Sequence, residues 1–113
     1  MIALVWALLV GCGGTDATAD TGVCAEAPLV TWETFGHGFL IENCQGCHAS
    51  TSTWRVGAPE DVSFDTLEDA WTHADRILER AGGATPSMPP AGGTSDDDRW
   101  RLEMWLRCGT PGT

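Results

Sequence analysis

Thr31-Trp32-Glu33-Thr34-Phe35-Gly36-His37-Gly38-Phe39-Leu40-Ile41-Glu42-Asn43 runs directly into Cys44-Gln45-Gly46-Cys47-His48, and this junction decides how the chain is read. Trp32, Phe35, Phe39 and Leu40 recur at three- and four-residue spacing, which predicts a helix over Thr31 to Asn43 with Thr31 as its cap. On a helical turn, positions i, i+3 and i+4 share a face, so Cys44, Cys47 and His48 emerge together. Gly46 between them leaves room for a flat group to approach the backbone closely. Gly36 and Gly38 sit inside the helix, where each costs about 1 kcal/mol relative to Ala. They mark either a place where another backbone comes near or a local weakness.

Outward from the junction, Ala49 to Ser63 shows no sustained period and reads as a loop, with Trp54 and Val56 folded inward. Leu67, Ala70, Trp71, Ala74, Ile77, Leu78 and Ala81 make one apolar face of a helix, with Asp65 and Glu68 as its capping pair and Gly82-Gly83 as its stop. Ala84 to Gly93 is rich in Pro and Gly and must be a loop. Ser95 caps a last helix whose first turn carries Asp96, Asp97 and Asp98 and whose buried stripe is Leu102, Trp105 and Leu106, before Gly109 and Pro111 end it. No alternating strand pattern and no internal repeat is found. The expected architecture is all-α.

Cys-x-x-Cys-His is the attachment signature of c-type haem. Its two thiols add across the two vinyl groups, and the imidazole beside the second meets the iron. Rival chemistries lack their context. A thioredoxin-like pair wants a preceding strand, and a zinc site wants a second closely spaced ligand pair, which His37, His73, Cys24 and Cys108 do not provide.

With that motif, the order of elements resembles class I cytochrome c. In that family a first helix leads into C-x-x-C-H, a Pro-rich loop presents a distal Met, and a last helix crosses the first. Here Thr31 to Asn43, Cys44 to His48, Ser87-Met88-Pro89-Pro90 and Ser95 to Cys108 follow in that order. The resemblance implies a small helical domain wrapped around one covalently bound haem c. It implies thioethers at Cys44 and Cys47, His48 as the proximal iron ligand and Met88 as the distal one. Met104 in the last helix is read as packing, and His37 and His73 as competing distal ligands. The resemblance also implies close packing of a small residue of the first helix against Trp105, without saying whether it is Gly36 or Gly38. The function implied is single-electron transfer and not catalysis. The alternative is a haem domain with a labile distal site, acting as a small-ligand sensor or a peroxidase-like subunit.

The N-terminal stretch Met1 to Val10 is nearly uninterrupted apolar sequence, of signal-peptide length and too short to cross a bilayer as a stable helix. Leu9-Val10-Gly11-Cys12 resembles the lipobox of bacterial lipoproteins, which implies cleavage after residue 11 and lipidation of Cys12. Residues 12–27, mostly Gly, Thr, Asp and Ala, read as a flexible tether, leaving 28–113 as the cytochrome c-like domain. An exported, membrane-tethered lipoprotein of the periplasm or cell envelope is expected. In an oxidising compartment Cys24 and Cys108 can pair, closing a long loop; otherwise they stay separate thiols.

The formal net charge is −10, with sixteen acids against six basic residues, all Arg. Phosphate backbones would be repelled, so nucleic acid is excluded as a partner. The acidity suits solubility, or docking of a monomer to a basic patch on a redox partner.

Overall fold

A short turn, α1 (Thr21–Cys24), opens the computed structural model, which describes residues 21–109. The signal-peptide stretch, Cys12 and the first part of the tether lie outside the described residues. Cys24 is joined to Cys108 in a disulfide, and Ala27 packs against the core. Cys24 and Ala27, both within the stretch whose composition reads as tether, are thus attached to the helical core.

Thr31 starts the main helical run. Its hydroxyl accepts from Thr34 N at 3.2 Å while Thr34 Oγ1 accepts from Thr31 N at 3.1 Å. The first turn, Trp32–Gly36, is wide: Gly36 N donates to Thr31 O, five residues back, at 3.0 Å. The run continues as α2 (His37–Asn43) and, after a kink at Cys44, as α3 (Gln45–His48).

The next helix is broken. α4 (Leu67–Thr72) and α5 (Ala74–Ala81) meet at His73, whose φ of −105° and ψ of 13° leave the helical region. Its cap also differs from the expected Asp65–Glu68 pair: Thr66 and Asp69 make the reciprocal box, because Asp65 is drawn away to accept from Ser50 N. Gly82 ends α5, its N–H donating to Leu78 O. The last helix, α6 (Asp96–Cys108), is capped by Ser95, whose hydroxyl accepts from Asp98 N at 3.0 Å. All regular structure among the described residues is helical.

Leu40, Leu102 and Trp105 are fully buried and form the centre of the core, joined by Phe39, Ala70, Ile77, Ala81 and Met104. Trp105 lies over Gly36. A Cβ at Gly36 would sit 2.5 Å from the indole, whereas one at Gly38 would meet nothing within 4 Å. Gly36 is thus the close-approach residue, and Gly38 is an exposed residue of α2 with no such duty. Gly36→Ala should destabilise by about 1–3 kcal/mol through overpacking. Gly38→Ala should stabilise by up to about 1 kcal/mol through helix propensity. Urea unfolding of the two variants checks the pair, and equal effects would refute the assignment.

Trp54 and Val56 do not fold inward; they are 79% and 64% exposed. Arg55 between them takes the inner position, its guanidinium bonded to loop carbonyls. Its neighbours are turned out, with Val56 at a positive φ of 55°.

Candidate functional site

Cys44, Cys47 and His48 occupy one helical turn: Cys47 N and His48 N both donate to Cys44 O, at 3.2 and 2.9 Å. The turn is clasped by the segment Val62–Phe64. Gln45 Nε2 donates to Phe64 O at 2.9 Å, and Phe64 N donates to His48 O at 2.7 Å. The Phe64 ring stacks on the His48 imidazole, with centroids 4.8 Å apart. Val62 O lies 2.9 Å from His48 Nδ1. A carbonyl can only accept, so Nδ1 carries the proton and Nε2 keeps its lone pair. The imidazole is held in the tautomer that offers Nε2 to a metal.

The thiols of Cys44 and Cys47 are both free, and each is half-buried. Cys24 and Cys108, by contrast, are bonded to each other. Desolvation by burial pushes the Cys44 thiol up to about 12, from an ordinary value of 9.0. The thiolate is the reactive species, so burial leaves about a thousandfold less of it at Cys44 at neutral pH than at an unburied thiol, a loss offset in part by the greater nucleophilicity of a more basic thiolate. Before any group is attached, Cys44 should therefore lag a small unstructured thiol by on the order of tenfold to a hundredfold in iodoacetamide alkylation. Mass spectrometry of the peptide checks it, and alkylation at the free-thiol rate would show that the sulfur is not desolvated.

Met88 lies on the loop after α5. Its N–H and that of Ser87 both donate to Arg80 O, each at 2.8 Å. The loop's two ends are pinned to α6. Glu103 Oε1 accepts from Gly83 N at 2.6 Å, while Arg99 donates through Nε to Gly83 O at 3.1 Å and through Nη1 to Thr94 O at 2.7 Å. Met88 itself is 37% exposed. The structure brings Cys44, Cys47 and His48 together on one turn and carries Met88 on a different segment, the loop between α5 and α6.

The competing ligands make contacts of their own. His37 stacks on Trp32 at 4.6 Å, His73 packs edge-on against Phe64 at 5.6 Å, and Met104 is buried in the core. Two open surface depressions of about 500 and 430 Å³ border α6, and neither is lined by Cys44, Cys47, His48 or Met88.

The donor set of the turn fits a covalent haem: two unbonded thiols, an imidazole with Nδ1 occupied, and a Gly46 whose Cβ would meet nothing within 4 Å, so no protein atom crowds that side. Among the described residues no three His, Cys, Asp or Glu side chains gather as a metal-holding group. Haem iron ligated by one histidine and one methionine would need no such gathering.

Gln45, Val62 and Phe64 contribute to the site without having been singled out in the sequence, as does Arg55, whose Nη2 reaches Val62 O. The available signal for Arg55 was a lone cation in a loop of Pro, Gly and Ser. Comparison of the chain with protein-family models, curated proteins and solved structures finds no match.

Proposed function

We propose that this chain is a small exported c-type cytochrome that carries single electrons. The observation that carries the reading is the C-x-x-C-H turn itself: both thiols are free where the other described cysteines are paired, and the imidazole is fixed with Nε2 available. Cys44 and Cys47 would hold haem c through thioethers, His48 would be its proximal ligand and Met88 its distal one. The haem, when bound, supplies one-electron exchange at iron.

The protein's own residues orient and insulate that centre. Val62 O fixes the His48 ring, Phe64 covers one imidazole face, and the Arg80, Arg99 and Glu103 contacts set the position of the Met88 loop. With a thioether and an imidazole both committed, no position is left for a substrate, which makes the protein a carrier and not an enzyme. Export agrees with the Cys24–Cys108 disulfide, a bond that persists in oxidising compartments. Lipidation at Cys12 would hold the domain at a membrane of the cell envelope, and the chain's formal charge of −10 suits brief docking to a basic patch on a redox protein.

Expression in a host that exports the chain and attaches haem tests the reading. The purified protein is expected to be red and to stain for haem after denaturation. Replacing both Cys44 and Cys47 by serine should abolish that stain. A colourless protein with free thiols at both positions would overturn the proposal and leave a structural lipoprotein.

A further inference from the structure

Arg55 is half-buried in the Ala49–Ser63 loop, and all three of its guanidinium nitrogens donate within that loop. Its Nε donates to Ala58 O at 3.2 Å and its Nη1 to Ala49 O at 2.6 Å. Its Nη2 reaches Pro59 O at 2.6 Å, Val62 O at 2.9 Å and Ser63 Oγ at 3.3 Å. Among the described residues no carboxylate forms an ion pair with it; the ion pairs belong to Arg76, Arg99 and Arg101. The charge of Arg55 is therefore spent on carbonyl oxygens.

One of those oxygens is also the acceptor for His48 Nδ1. Val62 O lies 2.9 Å from the imidazole nitrogen and 2.9 Å from the guanidinium, so its two lone pairs serve both donors. The partner of a ligating imidazole's second nitrogen sets how strongly that imidazole donates to its metal. An acceptor that also receives a bond from a cation pulls less on the imidazole proton. His48 then donates less electron density, which favours the reduced metal. A positive charge a few bonds away, with no ion-pair partner among the described residues, acts in the same direction, because it disfavours the extra charge of the oxidised state.

We propose that Arg55 is a positioning residue for His48, fixing the imidazole through the shared Val62 carbonyl and raising the reduction potential of the iron that His48 binds. This rests on the haem reading above. Arginine is suited to the task because its planar fork meets several carbonyls at once, which a lysine ammonium on a flexible stem cannot do.

Redox titration of the haem-loaded protein and of Arg55→Gln and Arg55→Lys tests it, with thermal unfolding measured alongside. Arg55→Gln should shift the oxidised-to-reduced ratio at a fixed solution potential about tenfold toward the oxidised form, a fall of about 59 mV. Arg55→Lys, which keeps the charge but loses the fork, should fall by less than half as much. If the Gln variant does not fold, the Lys variant decides: a lower potential supports the proposal. Variants that lose thermal stability while their potential stays at the parent value would reduce Arg55 to a loop staple and overturn it. A parent protein without haem overturns the functional reading and this proposal with it. A haem-loaded parent with unmoved variants overturns this proposal alone.

Discussion

Replacing Cys24 and Cys108 together by serine is expected to lower the free energy of unfolding by about 4–5 kcal/mol in the chain-entropy account of crosslinks. The two cysteines are 84 residues apart, so their bond closes a loop that spans nearly the whole described chain. Without it the unfolded state regains the freedom of that loop, while the folded state loses only the tie between α1 and the end of α6. A domain of this size has about 5–15 kcal/mol in all, so the loss is a large fraction of the total. Guanidinium unfolding of the double variant, and of the parent after reduction, should agree on the shift. A loss below about 1 kcal/mol would mean that the unfolded chain stays compact without the bond.

The helices were legible wherever one face carried a clear apolar stripe. The 3.6-residue rhythm of Leu67 to Ala81 and of Leu102 to Leu106 survives in α4, α5 and α6, because local periodicity and burial point the same way there. The break at His73 was not legible. Both halves keep the stripe, and nothing in the residue types of Thr72-His73-Ala74 announces a stop. The choice between Gly36 and Gly38 was equally closed to periodicity, since it depends on where the indole of Trp105, far along the chain, comes to rest. Trp54 and Val56 were misplaced for a related reason. Hydrophobicity alone points them inward, but Arg55 has four loop carbonyls to satisfy and takes the interior, which only the tertiary arrangement reveals. At the candidate site the motif named its own residues, and the helical turn places them on one face. The clasp around them, built from Val62, Phe64 and Gln45, uses backbone carbonyls and long-range contacts that leave no mark in a motif.

Met88→Ala is the variant expected to change the redox behaviour most. With haem attached, it should abolish the Met-to-iron charge-transfer band and lower the potential by on the order of 0.1 V, a modest part of the roughly 0.8 V range that axial ligands span. Met104→Leu should change neither, since Met104 is 4% exposed within the core and serves packing. The expectation follows from how the loop is built. Prolines at positions 86, 89 and 90 limit its conformations in the unfolded chain, and Arg99 and Glu103 tie its ends to α6, so little entropy is lost in presenting the sulfur. An unchanged spectrum in Met88→Ala would move the sixth ligand elsewhere, with His73 the next residue to replace. The exposure of Met88, 37%, bears on the competing function. A thioether reached by solvent in the loaded protein would yield to carbon monoxide or cyanide under mild conditions, and the parent protein would then behave as a small-ligand sensor or a peroxidase-like subunit. Inertness to both, with the band lost only in Met88→Ala, is the outcome that a carrier requires, because electron transfer depends on both axial ligands staying in place through each cycle.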